Sequence, residues 1–362
     1  MTLTRREILS MGCTLAIAEM LPHVAISQQS SNSHAAAVTP DKMLAYVNPE
    51  FRPLIEARLK AAGGHAGTGL NSSTLPAVRE AMRTSFGRPP LPSPPVQERM
   101  IPGSAGAPKV RIYIVGAEPG ALKPAILHMH GGGYVAGTAG MQKRDLQEMS
   151  MTHNCVVVSV DYRLAPETPF PGSLEDNYAG LRWLYKNANE LGVDTRRIAI
   201  KGESAGGGHA AALAIAARDR GEIPICLQVL IYPMLDDRTG STRHLPPYIG
   251  YFSWNEEANR FGWSSLLGVP AGSNKVPPGP VPARVSSVAG LPPAFIGVGS
   301  IDLFGPEDIE YASRLILAGV STELHVVPGA YHGFDVYVPQ APLSIQFTAA
   351  WNAALKRAFT TA

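Results

Sequence analysis

A buried-type strand, Arg197-Ile198-Ala199-Ile200, runs directly into Gly202-Glu203-Ser204-Ala205-Gly206, and an alanine-rich helical stretch, Gly207–Ile215, follows at once. A strand, a turn this tight and a helix in immediate succession leave few architectures open. The glycines admit a turn that lifts the Ser204 side chain above a sheet, where flanking Cβ atoms would collide. This is the strand–turn–helix context that a G-x-S-x-G nucleophile elbow requires. Upstream, His130-Gly131-Gly132-Gly133 supplies a second glycine loop, suited to bringing backbone N–H groups close to a reacting carbonyl.

The elbow predicts its own partners. On an α/β-hydrolase sheet the chain order is serine, acid, histidine, with the last two on loops after later strands. Pro293–Gly299 reads as one such strand and runs into Ser300-Ile301-Asp302-Leu303-Phe304. Thr322–Val327 reads as the next and ends at Pro328-Gly329-Ala330-Tyr331-His332-Gly333-Phe334. Asp302 competes for the acid with Asp236, Asp237, Glu307 and Asp308. The last two fit better as first-turn residues of a helix over Glu307–Ala318, where the macrodipole favours carboxylates. Among the ten histidines, His325 falls inside a strand, His209 inside a helix and His153 before a strand. His332 alone follows the last strand on a glycine-flanked loop.

The residue types then set the chemistry. A serine hydroxyl needs a base during attack, here His332. Asp302 is expected to fix the imidazole tautomer and stabilise the imidazolium. Backbone N–H groups of Gly131, Gly132 and Ala205 are the expected oxyanion donors. His128-x-His130 has a spacing that brings two imidazoles to one strand face, but no third ligand lies nearby and H-E-x-x-H and C-x-x-C are absent from the sequence. Neither a metal nor a cofactor is expected.

Cys155–Val160 reads as a parallel-type strand followed by Asp161-Tyr162-Arg163-Leu164-Ala165-Pro166-Glu167, where Arg163 and Glu167 are placed to hold the loop through paired charges near the rim of the site. Taken together, HGGG at 130–133, DYRLAPE at 161–167, GESAGG at 202–207, the aspartate after a strand at 302 and His-Gly-Phe at 332–334 resemble the bacterial hormone-sensitive-lipase-like carboxylesterase family. The resemblance runs from about residue 41 to the end. It implies an α/β-hydrolase fold with a helical cap and ester hydrolysis by a serine triad without a cofactor. It carries the triad onto Ser204, Asp302 and His332 and the oxyanion hole onto Gly131, Gly132 and Ala205. Two positions depart from the family pattern: Glu203 stands where Asp or Thr is common, and Asp302-Leu303-Phe304 where Asp-Pro-Leu is common.

Further strands are expected at Lys109–Val115, Ala125–His130 and Leu227–Tyr232, and helices at Leu174–Asn189 and Ser344–Phe359. Strands alternating with helices imply a mostly parallel sheet covered on both faces. The expected catalytic domain is 96–362. Two stretches stand outside the alternation. Residues 41–95 carry Leu54 and Leu59, then Leu75, Val78, Met82 and Phe86 at helical spacing, and end in a proline-rich linker; they are expected to be cap helices. Residues 236–275, a second cap insertion, carry Tyr248, Tyr251, Phe252, Trp254, Phe261 and Trp263, mostly as packing. Tyr134, Glu203, Phe252, Trp254 and Phe334 are the candidates for the pocket wall, and an aromatic lining would favour apolar esters.

A formal charge of +2 without a basic run argues against nucleic acid as a partner. The expected partner is a small-molecule ester, with a homodimer possible. Thr4-Arg5-Arg6-Glu7-Ile8-Leu9 before a short apolar stretch is similar to a twin-arginine export signal over 1–28, followed by a linker over 29–40. That implies a periplasmic or secreted enzyme; a frayed N-terminus on a cytoplasmic one is the alternative. The stretch is too short to span a membrane. Without the leader, Cys155 and Cys226 remain, expected three strand positions and about 14 Å apart. A disulfide needs Cα atoms within about 7 Å, so two buried free thiols are expected. An acyltransferase or amidase would use the same acyl-enzyme, and a hydrolase fold can serve as a ligand receptor; such receptors lack a triad member, whereas this chain has all three.

Overall fold

The computed structural model describes residues 39–61, 69–85, 88–104 and 106–361; the expected export signal and Phe86 lie outside them. Eight strands form one sheet: β1 (Val96–Ile101), β2 (Val110–Val115), β3 (Lys123–Met129), β4 (Val156–Asp161), β5 (Val193–Glu203), β6 (Leu227–Ile231), β7 (Ala294–Gly299) and β8 (Thr322–Val327). Their order is β1-β2-β4-β3-β5-β6-β7-β8. The β1–β2 and β2–β4 pairs are antiparallel, and every pair from β4 to β8 is parallel. β5 therefore runs through the middle of the parallel block and delivers Ser204 at its carboxyl end, where ligands bind in open parallel sheets.

The helices are α1 (Pro40–Leu44), α2 (Arg52–Ala61), α3 (Leu75–Ser85), α4 (Lys143–His153), α5 (Gly172–Lys186), α6 (Ala188–Leu191), α7 (Ala205–Arg220), α8 (Glu256–Leu267), α9 (Gly305–Leu317), α10 (Phe334–Tyr337) and α11 (Pro342–Thr361). Alternate residues of each central strand point to opposite faces. Leu127, Val158, Ile200, Leu230 and Ile296 join one buried cluster with Leu181 of α5, Leu213 of α7 and Leu315 of α9. Their neighbours Ile126, Val157, Ala199, Val229 and Phe295 join the other, with Phe51, Leu146 of α4 and Leu355 of α11. Both faces are covered, so these strands read as continuous apolar runs rather than alternating ones. Cutting fully buried Leu213 to alanine would cost about 2–5 kcal/mol.

Several elements differ from the sequence-based expectation. The helix expected over Leu174–Asn189 breaks at Asn187, whose side-chain amide donates to the Trp183 carbonyl, and resumes as α6 before Gly192 in the left-handed conformation. β1 carries no apolar alternation, since four of its six residues are exposed; it exists through its ladder with β2, Val96 opposite Val115. His153 closes α4 just ahead of β4, as its expected place before a strand requires. Cys155 and Cys226 precede β4 and β6, three positions apart in the sheet, and both are free thiols. Cys155 is buried as expected, but Cys226 is only half-buried, because it lies just outside the ladder that begins at Leu227. Burial pushes both thiols up to about 12.

Candidate active site

Ser204 sits between β5 and α7 with φ 57° and ψ −122°, a backbone conformation that a residue with a Cβ rarely adopts. Its surroundings hold it there. Ser204 N–H donates to the Ile231 carbonyl at 2.9 Å, and the Ser204 carbonyl accepts from Gly208 and Met234 N–H at 3.0 Å each. Gly206 is required by contact: a Cβ there would lie 2.1 Å from the Met129 carbonyl oxygen. The strained turn thus costs side chains at its flanks and lifts the serine hydroxyl clear of the sheet.

His332, on the loop between β8 and α10, places Nε2 2.9 Å from Ser204 Oγ. Its Nδ1 lies 2.8 Å from Asp302 Oδ2. Asp302 is fully buried, and its other oxygen accepts the Phe304 N–H at 3.0 Å, which fixes the carboxylate plane. Phe304 and Tyr232 pack edge-on against the imidazole. The competing carboxylates go elsewhere. Asp236 pairs with Arg238 and Asp237 with Arg284. Glu307 accepts from Leu235 N–H, Asp236 N–H and Thr239 Oγ1. Asp308 is buried, with no hydrogen-bond partner for either oxygen among the described residues. Burial pushes Glu307 and Asp308 well above the usual carboxylate range. His325 contacts Glu323, and His153 contacts Asn352.

The glycine loop leaves β3 beside this serine. Gly132 has φ +128°, and a Cβ there would fall 1.9 Å from the Ala136 carbonyl oxygen, so only glycine fits. Among the described residues, the N–H groups of Gly131, Gly132 and Ala205 donate no hydrogen bond within the chain. Three idle backbone donors beside the Ser204 hydroxyl are an arrangement that can receive a negatively charged oxygen. His128 and His130 do not act as a pair. His128 lies 2.9 Å from Ser159 Oγ and 3.0 Å from Glu203, while His130 Nδ1 donates to the Gly131 carbonyl at 2.8 Å. No cluster of potential metal ligands occurs among the described residues.

A cavity of about 460 Å³ opens over Ser204 and His332. Of the five wall residues expected from sequence, Glu203 and Trp254 line it; Tyr134, Phe252 and Phe334 do not. Tyr134 has φ 69°, which turns its ring under the loop, where it packs edge-on against His209 and donates to the Met234 carbonyl at 2.8 Å. Phe252 is buried against Tyr251, and Phe334 against Phe51 and Phe347. The wall residues missed from sequence are mostly apolar, Leu70, Val78 and Met82 from the N-terminal segment, Met141 and Val336 of α10, joined by the Tyr232 and Tyr337 rings and by Gln142 and Asp145. Val78 and Met82 stand four apart on one face of α3, a periodicity visible in the sequence, although nothing there says which partner that face meets. Glu203 is half-buried beneath the site, its side chain 18% exposed. Burial opposes its charge, but Lys201 and His128 outweigh that and hold the carboxyl well below the usual range.

Arg163 and Glu167 do not pair with each other. Arg163 forks onto Asp176 of α5, whereas Glu167 takes both terminal nitrogens of Arg79 from α3 at 2.7 and 2.8 Å. Arg79 also donates to the Val135 and Ala165 carbonyls at 2.7 and 3.0 Å. One guanidinium therefore fastens α3 to the end of the glycine loop and to the turn after β4. These hydrogen bonds hold Glu167 down to about 2.

Comparison with known proteins agrees with this geometry. Residues 126–336 match the family described as the alpha/beta hydrolase fold. Esterase LipI of Mycobacterium tuberculosis is 35% identical over 281 residues, covering 76% of this chain and 85% of that protein. Carboxylesterase NlhH of the same species is 36% identical over 243 residues, 65% of this chain and 74% of that protein. The crystal structure of esterase LipW from Mycobacterium marinum superposes with a TM-score of 0.74 at 33% identity, covering 87% of this chain and 97% of that one. With its elbow, glycine loop and mostly parallel sheet, the chain belongs to the bacterial hormone-sensitive-lipase-like carboxylesterases of the α/β-hydrolase superfamily.

Proposed function

We propose that Ser204, His332 and Asp302 hydrolyse esters of small to medium carboxylic acids through a covalent acyl-enzyme. That the chain is a carboxylic ester hydrolase follows from the family and its esterase relatives; the residue roles and the substrate range are the proposal. The contact that carries it is the continuous hydrogen-bonded line from Ser204 Oγ through His332 to Asp302. As Ser204 Oγ attacks the ester carbonyl, its proton passes to His332 Nε2. Asp302, on the far nitrogen, stabilises the imidazolium and holds the ring in orientation. The carbonyl oxygen becomes negative and is received by the N–H groups of Gly131, Gly132 and Ala205, each such donor contributing about 3–4 kcal/mol to barrier lowering. His332 then gives the proton to the departing alkoxide, and a water repeats the sequence on the acyl-enzyme.

A cavity of about 460 Å³ walled by aliphatic side chains together with Trp254, Tyr232 and Tyr337 supports acyl groups of a few carbons rather than long chains. The test is hydrolysis of a graded series of p-nitrophenyl acyl esters by wild type and Ser204→Ala. Ser204-dependent turnover with an optimum at short to medium chains is expected; substantial turnover by folded Ser204→Ala would require another nucleophile.

The twin-arginine-like stretch at Thr4–Leu9 supports export as a folded enzyme. Replacing Arg5 and Arg6 with lysine should retain the precursor in the cytoplasm, and unaffected export would remove the claim. Among the described residues, no helix is long and apolar enough to cross a membrane. A homodimer is supported by the β8 edge, which has no pairing strand among the described residues, and where Val326 of β8 and Ile316 and Leu317 of α9 are exposed; light scattering on the purified protein reads it directly.

A further inference from the structure

The two glycine donors, Gly131 and Gly132, have no side chains of their own to aim them, so something else must. In a trans peptide the carbonyl and the following N–H lie antiparallel in one rigid plane, and the peptides of this loop are trans. Whatever grips the His130 carbonyl therefore aims the Gly131 N–H, and whatever grips the Gly131 carbonyl aims the Gly132 N–H. Both carbonyls are gripped. Tyr162 Oη donates to the His130 carbonyl at 2.6 Å, and His130 Nδ1 donates to the Gly131 carbonyl at 2.8 Å.

The two grips are one unit. The Tyr162 and His130 rings stack flat, with centroids 4.1 Å apart and planes 7° from parallel. His209 of α7 closes edge-on against Tyr162 at 4.6 Å. Tyr162 follows β4 directly and is almost fully buried, so its hydroxyl has little freedom to swing away. Burial holds His130 down to about 4, which keeps the ring neutral at working pH with Nδ1 as its single donor.

We propose that Tyr162 is a positioning residue of the oxyanion hole: through the His130 carbonyl it orients the Gly131 peptide plane, and through its stack on His130 it orients the next one. It touches neither substrate nor reacting atoms. Its contribution appears where negative charge develops on the substrate oxygen, in the transition state, and not in ground-state binding.

This inference rests on the oxyanion-hole reading above, and the experiment separates the two. Tyr162→Phe keeps the ring and its stack and removes only the hydroxyl. Expected are a fall in kcat of about 10- to 50-fold, less than for outright loss of a donor, and a KM within about twofold. The affinity for a trifluoromethyl ketone analogue, which binds as an oxyanion, should fall by the same factor as kcat/KM. Tyr178→Phe, which removes a buried tyrosine hydroxyl donating to Glu222 away from the site, should leave kcat and analogue affinity unchanged. Wild-type kcat in folded Tyr162→Phe, or a loss of kcat without a parallel loss of analogue affinity, would overturn the assignment while Ser204-dependent turnover left the esterase reading standing. Should Tyr162→Phe not fold, His130→Phe removes the second grip and is judged by the same two outcomes.

Discussion

Acidification should destabilise this fold through two histidines packed against the same tyrosine. Burial holds His130 down to about 4 and His209 to about 3, from an ordinary 6.5. Both are almost fully buried, and neither Nε2 has a hydrogen-bond partner among the described residues, so each ring is held neutral. The unfolded chain imposes no such restriction. Below about pH 6.5 the unfolded imidazoles take up protons that the folded ones refuse, so stability is fully present above that pH and is lost as pH falls towards the folded values. At pH 5.5 an unfolded histidine gains RT ln(1 + 10), about 1.4 kcal/mol, while the folded site gains almost nothing. The pair therefore removes about 3 kcal/mol between about pH 7.5 and 5.5, a sizeable share of a net stability of about 5–15 kcal/mol. His209→Phe keeps an aromatic ring between Tyr134 and Tyr162 and removes one titrating group. Urea unfolding of wild type and variant at both pH values isolates its share, because every other group is common to the two. The variant should lose about 1.4 kcal/mol less than wild type. An equal loss in both proteins would mean that the His209 ring is solvated or protonated when folded, and the burial argument would fail.

Three further outcomes are expected. Asp302→Asn should lower kcat by about 10⁴ through the wrong imidazole tautomer, with Asp308→Asn leaving it within a few-fold; the reverse pattern in steady-state kinetics would move the acid to Asp308. Arg79→Ala removes the four hydrogen bonds that fasten α3 to the glycine-loop side. The Glu167 end is exposed and contributes little, but the two carbonyl contacts should bring the loss to about 2 kcal/mol. KM for a hexanoate ester should then rise about tenfold with kcat for acetate nearly unchanged, and an unaltered KM would show that α3 is held by its apolar face alone. Trp254→Ala removes a cavity wall that packs against Gly133; the acyl-length optimum should shift to longer chains at a stability cost of about 3–5 kcal/mol. An unchanged optimum would place the acyl group on the other side of the serine.

The parts of the site that sequence revealed are those whose geometry is local. Gly202 to Gly206 specify a strained turn through steric exclusion alone, and a residue placed just after a strand of a parallel sheet must stand at its carboxyl edge; Ser204, Asp302 and His332 were legible for that reason. The same locality explains the central strands, whose unbroken apolar runs report burial on both faces, and the omission of β1, whose Gln97-Glu98-Arg99 carries no such signal and is fixed by backbone pairing with β2. The pocket wall obeys no local rule. Tyr134 adjoins the glycine loop, yet its φ of 69° turns the ring away from the cavity; Phe334 is two residues from His332 and opens α10 facing the core, while Val336 two residues later lines the site. Helical rotation of α10 decides between the two, and that rotation is set by Phe51 and Phe347, which are remote in sequence. Arg79 sharpens the point. Its partner Glu167 lies 88 positions along the chain, and the DYRLAPE turn gives no hint that its final carboxylate reaches α3 rather than Arg163. Chemistry confined to one turn can be read residue by residue, whereas the cavity wall depends on the contact between α3 and the loops after β3 and β4, where long-range packing decides which side chains line it.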